Sequence, residues 1–181
     1  MKIKTKVADS EGLDRILTRI AHEILEKNKG SQNLILMGMR TRGEFLARRI
    51  QNKLKTIDNA DLPLGVLDVT LYRDDFRMRI KQPEVSVSDI TFDINEKHII
   101  LVDDVLYTGR TVRAALDAMI AFGRPAKVEL LVLVDRTNTR DLPIAADYVG
   151  KLVNTIESQR VLVELEGQGY KQNRIWLINK S

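Results

Sequence analysis

Two adjacent aspartates, Asp103 and Asp104, follow an apolar run in the stretch IILVDDVLYTGRT (99–111). Like charges side by side repel each other, and carboxylates are disfavoured in apolar surroundings. A ligand that rewards their company would explain them, and the next residues fit one. Thr108, Gly109, Arg110 and Thr111 open a predicted helix (110–122), whose first amides lack intrahelical partners and whose dipole favours negative charge. Gly109 lets the backbone approach an anion closely. With the Thr108 and Thr111 hydroxyls, the turn from Val105 through Leu106 and Tyr107 to Thr111 forms a cradle for a phosphate. It lacks the GK[ST] ending of a Walker A loop and is not the dinucleotide GxGxxG. A phosphate held there sets an attached sugar against the strand end. The two carboxylates can then accept hydrogen bonds from a vicinal diol and favour positive charge on the ring.

A second candidate is GMRTRG (38–43), in which Arg40 and Arg42 flank Thr41 between glycines. Two guanidiniums in such a turn suit a phosphate better than a core.

The elements that must position these groups read as an alternation. Leu13, Ile16, Leu17, Ile20 and Ile24 fall at helical spacing, with Ser10 as N-cap and Gly30 just past the end. NLILMGM predicts a buried strand over 34–37, broken by Gly38, and a helix follows over 44–55. PLGVLDVTLY is a second strand candidate. Residues 73–93 are polar, carry Pro83 and read as a partly mobile excursion. HIILV is the third strand and VELLVLV (128–134) the fourth, and the tail RVLVELEG…RIWLINK predicts one or two antiparallel strands. Continuously apolar strands between amphipathic helices imply a parallel sheet covered on both faces. In such sheets ligands sit beyond the C-terminal strand ends, so both motifs should lie near each other.

Length and composition set the bounds. At 181 residues, 44% hydrophobic and 30% charged, the chain is expected to form one globular domain over 1–181. The absence of cysteine excludes disulfides, thiolate catalysis and thiolate zinc sites, and His22 and His98 are too far apart in sequence to suggest a metal cluster. The net charge of +4 is compatible with phosphorylated ligands or nucleic acid without pointing to either. No apolar run is long enough for a membrane span and the N-terminus has no signal-peptide core, so the expected location is the cytoplasm.

IILVDDVLYTGRT resembles the phosphoribosyl pyrophosphate (PRPP) signature of type I phosphoribosyltransferases. Within them, the chain is most similar to the family of bifunctional pyrimidine operon regulators with uracil phosphoribosyltransferase activity. LTRIAHEI (17–24), RTRGEFLA (40–47), DVTLYRDD (68–75), DDVLYTGRTVRAALDA (103–118), VLVDR (132–136) and ADYVGK (146–151) carry the resemblance in order along the chain. It implies an α/β fold with a parallel core sheet flanked by helices, a small hood and a flexible loop. It also implies the reaction uracil + PRPP → UMP + pyrophosphate. Asp103 and Asp104 would hold the ribose, residues 105–111 the 5′-phosphate, and Arg40, Thr41 and Arg42 the pyrophosphate, with Mg²⁺ bridging ribose and pyrophosphate. Arg73, with Arg77 and Arg79, would close over the reacting centre, and Arg136 and Val161 would lie by the base.

The same resemblance implies a homodimer or higher oligomer that binds a pyrimidine operon mRNA leader in response to UMP or UTP. Arg15, Thr18, His22 and Lys29 cluster on the polar face of the first helix, with Arg19 beside them. Thr18, Arg19, His22, Arg140 and Lys151 are the implied RNA contacts. Ala145 stands where regulators usually carry arginine, and the tail GQGYKQNRIW differs from their usual acidic ending. Two other readings follow from the same residues: a transferase without RNA regulation or with another base such as hypoxanthine, guanine or orotate, or a nucleotide-sensing regulator with little catalysis.

Overall fold

The computed structural model describes residues 4–59, 61–72 and 88–179. The chain begins with β1 (Lys4–Ala8), α1 (Ser10–Asn28), β2 (Leu34–Met39), α2 (Arg42–Asp58) and β3 (Leu64–Leu67), followed by a 3-10 turn at Thr70–Tyr72. It continues with β4 (His98–Leu106), α3 (Arg110–Ile120), β5 (Lys127–Thr137), β6 (Tyr148–Asn154), β7 (Gln159–Glu164) and β8 (Arg174–Asn179). Five strands form a sheet in the order β3-β2-β4-β5-β6, parallel throughout. The remaining three form an antiparallel sheet, β1-β8-β7.

Burial on both faces explains why the central strands are apolar at every position. Leu34, Leu36, Ile100, Val102, Leu131 and Leu133 share a core with Leu17, Ile20 and Ile24 of α1 and Leu46, Ile50 and Leu54 of α2. The alternating residues Ile35, Met37, Ile99, Leu101, Leu130 and Val132 share a second core with Val112, Ala115 and Met119 of α3.

The structure moves several expected boundaries. The N-cap of α1 is Asp9, whose Oδ1 accepts from Gly12 N at 3.0 Å. Ser10 is used differently: its hydroxyl exchanges hydrogen bonds with the backbone O and N of Asn173, both at 3.1 Å. At the other end Gly30 (φ 115°) lies just past the helix as expected, but the left-handed turn already begins at Lys29 (φ 56°). β2 runs through Gly38, and β4 continues through both aspartates to Leu106. The tail is antiparallel as expected, but its middle strand also pairs with the N-terminal β1, which local sequence does not announce. Of the excursion, 73–87 lie outside the described residues, and Asp89 forms an isolated bridge with Val66. Among the described residues no helix is long and apolar enough to cross a membrane.

Candidate active site at the ends of β2 and β4

The chain leaves β2 for the edge strand β3 and returns on the other side of β2 as β4. The sheet therefore changes direction between β2 and β4, where α/β folds open a crevice beyond the strand ends. Two glycines let α2 start directly over that point. A Cβ on Gly38 would lie 2.6 Å from Glu44 Cα, and one on Gly43 would lie 2.2 Å from the Val102 carbonyl oxygen. Any side chain would lift the helix. As built, Arg40, Thr41, Arg42, Asp103 and Asp104 line one cavity of about 430 Å³, together with Val105, Thr111, Gln168 and Tyr170. The Arg40–Thr41 peptide bond is cis.

Each aspartate is oriented by the next amide: Asp103 Oδ1 accepts from Asp104 N at 2.8 Å, and Asp104 Oδ1 from Val105 N at 2.9 Å. Arg42 Nη1 stands 3.7 Å from Asp104 Oδ2. Burial pushes the Asp104 carboxyl above the usual carboxylate range, and the Arg42 guanidinium only partly opposes it. Arg40 Nε, Arg42 Nε and Gln168 Oε1 are buried without a hydrogen-bond partner. Native proteins rarely leave such groups unsatisfied.

The helix ends repeat this pattern. α1 is capped by Asp9, whereas the caps of α2 (Thr41) and α3 (Gly109) make no side-chain hydrogen bond. At α3 the first amide, Arg110 N, makes a long 3.4 Å hydrogen bond to Thr108 Oγ1, and the first-turn amides of α2 and α3 meet this crevice without a side-chain cap, where anions are favoured. One cavity thus holds a carboxylate pair suited to a diol or a cationic ring, beside guanidiniums and amides suited to phosphates.

Other expected residues have different tasks. Leu106 is buried in the second core. Gly109 has φ 90°, and its Cβ would lie 3.2 Å from Ile144 Cδ1 and 3.5 Å from Leu142 Cβ. Glycine is thus required here by backbone angle and by the 138–146 segment, not by room for an anion. That segment braces the whole turn. Thr108 O accepts from Asp141 N and Leu142 N, and Arg110 Nε pairs with Asp141 Oδ2 at 3.0 Å. Arg140, expected on RNA, instead donates to the carbonyls of Tyr107 (2.6 Å), Arg136 (3.0 Å) and Ile144 (3.1 Å) and pairs with Asp135. It ties the 105–111 turn to the end of β5.

Arg136, expected by the base, is buried and does not line the cavity. It donates to Thr155 Oγ1 (2.9 Å) and Gln159 O (3.0 Å), and its guanidinium lies 4.0 Å from the Tyr107 ring centroid. Burial lowers its pKa. Val161 packs from β7 against the first core. Arg73 lies outside the described residues.

Among the expected RNA contacts, His22 and Lys151 are exposed and Thr18 is half-buried, its hydroxyl donating to Asp14 O at 2.9 Å. Arg19 pairs with Glu23 and donates to the carbonyls of Val149 (2.9 Å) and Gly150 (2.8 Å), so it also docks α1 on β6.

Gln168 and Tyr170 are the site residues that motif reading missed. Their connection, 165–173, is held from α2: Arg49 donates to Asn173 Oδ1 (2.8 Å) and Glu166 O (3.1 Å), and Glu166 N donates to Asn173 Oδ1 (2.9 Å). A Cβ on Gly167 would meet Phe45 Cε1 at 3.1 Å. Gly167 (φ 92°) and Gly169 (φ 85°) make the turn tight. The G-Q-G-Y pattern was the available signal.

Comparison with known proteins agrees with this geometry. The phosphoribosyl transferase domain model matches residues 5–166. The chain is 50% identical over 182 residues to the bifunctional protein PyrR of Oceanobacillus iheyensis, covering 99% of this chain and 100% of the relative. It is 52% identical over 163 residues to the bifunctional protein PyrR of Ligilactobacillus salivarius, covering 89% and 91%. The hypoxanthine phosphoribosyltransferase of Trypanosoma cruzi is similar in fold, with a TM-score of 0.74 at 17% identity over 98% of this chain and 97% of that one. A hypoxanthine-guanine phosphoribosyltransferase of Bacillus anthracis has a TM-score of 0.72 at 16% identity over 100% of both chains.

Proposed function

The chain belongs to the phosphoribosyl transferase family and, within it, to the bifunctional PyrR family, and from that premise we propose that it converts uracil and PRPP to UMP and pyrophosphate and also binds a pyrimidine operon mRNA leader. The observation that carries the transferase is the cavity joining Asp103 and Asp104 to Arg40, Thr41 and Arg42. The ribose hydroxyls donate to the two carboxylates. The 5′-phosphate accepts from the α3 amides and the Thr111 hydroxyl, and the pyrophosphate accepts from Thr41 and the two guanidiniums.

In the reaction the C1′–O bond breaks and its electron pair leaves with pyrophosphate. Uracil N1 bonds to C1′, and the N1 proton passes to solvent. Positive charge grows on the ribose beside the carboxylates while negative charge grows beside the arginines. Positioning and preorganised charge therefore do most of the catalysis, and no strong base is required. Among the described residues no three carboxylates or histidines converge to hold a metal. The adjacent aspartates fit a Mg²⁺ that keeps several waters and arrives with phosphate oxygens. Such an ion would neutralise charge on the leaving group.

A panel of free bases incubated with PRPP and Mg²⁺ tests this reading. Uracil should give nucleotide far faster than hypoxanthine, guanine or orotate, and preference for another base would refute it.

RNA binding is supported by a groove of about 510 Å³ whose lining includes Lys6, Arg15, Arg19 and Lys151. Thr18 and His22 lie on the same helix. Phosphates would meet the cations, and exposed loop bases would be read by hydrogen bonding. The protein would act in the cytoplasm as a homo-oligomer. Titration of its own operon leader should show tighter binding with UMP or UTP present, and binding indifferent to nucleotide would overturn the regulatory half.

A further inference from the structure

The reacting groups account for every charged side chain lining the cavity, but not for Gln168. Its Oε1 is buried and has no hydrogen-bond partner. A bare acceptor wants a donor, and the reactants offer few. Phosphate oxygens only accept, and the ribose hydroxyls are assigned to Asp103 and Asp104. Uracil N1 becomes the new bond to C1′. Leaving water aside, the donor left over among the reactants is the ring N3–H of the base.

Gln168 sits in the β7–β8 connection, outside the parallel sheet whose strand β4 carries the aspartates, and lines the same cavity as they do. The turn is fixed rather than loose. Asn173 and Arg49 clamp it, Gly167 packs on Phe45, and Glu166 bridges to Tyr170. An acceptor held this way is preorganised, so a matching donor binds without further ordering of the chain. The same helix, α2, presents Arg42 in its first turn and holds the Gln168 turn through Phe45 and Arg49.

We propose that Gln168 is a specificity-determining residue that accepts the N3–H of the pyrimidine base through Oε1, selecting uracil over cytosine. The inference rests on the uracil reading given above. Cytosine presents a lone pair at N3, which would face the Gln168 oxygen without a proton between them. Sites built to hydrogen-bond a substrate group reject analogues that lack it, because a buried polar group is then left unpaired.

The test compares wild type with Gln168→Met, which keeps the length of the side chain and removes the acceptor. Calorimetric titrations with UMP, CMP and PRPP are paired with steady-state uracil and PRPP kinetics, and thermal unfolding checks that the variant is folded. The expected result is UMP affinity weakened about tenfold, a matching rise in uracil KM, PRPP affinity unchanged, and a smaller preference for UMP over CMP. Unchanged UMP affinity, or an unchanged UMP-to-CMP ratio, in a folded variant would overturn the inference. Weakened PRPP binding would also overturn it, by moving Gln168 to the pyrophosphate side. A wild type that binds UMP and converts uracil while the variant matches it refutes Gln168 alone; a wild type that does neither refutes the function and the inference together.

Discussion

The two ends of the parallel sheet bury charge in opposite ways. At the N-terminal ends of β4 and β5, Glu129 is only 1% exposed and fully partnered. Its Oε1 lies 2.7 Å from Lys127 Nζ and 2.9 Å from Lys27 Nζ, and its Oε2 accepts from the Tyr148 hydroxyl at 2.8 Å. His98 Nε2 is 2.9 Å from Oε2, though not aligned as a hydrogen bond. Burial alone would raise the Glu129 pKa, but the donors from Lys127, Lys27 and Tyr148 outweigh it and hold it at about 2. At the C-terminal ends Asp104 has the reverse balance. Burial dominates, its pKa is raised, and neighbouring polar atoms lack partners. A buried carboxylate whose oxygens are all partnered within the protein is part of the scaffold. One left unsatisfied marks where a ligand goes.

Gly43→Ala should break that contrast most severely. Its Cβ would stand 2.2 Å from the Val102 oxygen, so α2 must lift and carry the arginines away from the aspartates. Catalytic efficiency should fall on the order of 100-fold, as small misplacements do, with on the order of 1–3 kcal/mol lost from stability. Kinetics and thermal unfolding that both match wild type would show that the helix need not start there.

Asp104→Asn separates charge from position. Losing one charged hydrogen bond to the ribose should cost on the order of 1.5–3 kcal/mol, hence at least about tenfold in catalytic efficiency. The midpoint of unfolding should hold or rise, because a disfavoured buried charge is gone. A lower midpoint with normal kinetics would reverse its assignment.

Glu129→Gln should do the opposite, lowering stability by about 1.5–3 kcal/mol while leaving turnover of the folded protein unchanged. The pH dependence has a defined sign. The folded Glu129 titrates at about 2, below the ordinary 4.5, so its contribution is complete above pH 4.5 and is lost as pH falls toward 2. Acid denaturation followed by circular dichroism should show a shallower loss over that window in Glu129→Gln. An equal slope would remove Glu129 from the scaffold.

The smallest effect is expected in the groove lined by α1 and β6. Lys151→Gln should weaken leader RNA binding modestly and reduce its salt slope by about 1, while sparing UMP formation. Arg19→Gln should do the same but also lose about 1 kcal/mol of stability, since Arg19 holds the Val149 and Gly150 carbonyls. Identical salt slopes in Lys151→Gln and wild type would take this face out of RNA binding.

Much of the catalytic end was legible because its chemistry is local. Asp103, Asp104 and the TGRT turn are contiguous, as are Arg40, Thr41 and Arg42, and continuous apolar strands implied the sheet that brings them together. What escaped depends on distant partners. Arg140 and Arg136 look like free cations until β5, the 105–111 turn and β7 are assembled around them. Asp9 and Ser10 are both plausible caps, and only contact with Asn173 across the fold separates them. Gln168 enters the site through a turn fixed by Arg49 and Asn173, and no local pattern reports that contact.

The most direct measurement is UMP formation from uracil, PRPP and Mg²⁺ by wild type, Asp104→Asn and Glu129→Gln, side by side at a temperature where all three are folded. Wild type and Glu129→Gln should form UMP at matching rates, with Asp104→Asn at least about tenfold slower at sub-saturating PRPP. No UMP from wild type, or equal losses in the two variants, would contradict the division between a self-satisfied scaffold end and a ligand-seeking catalytic end.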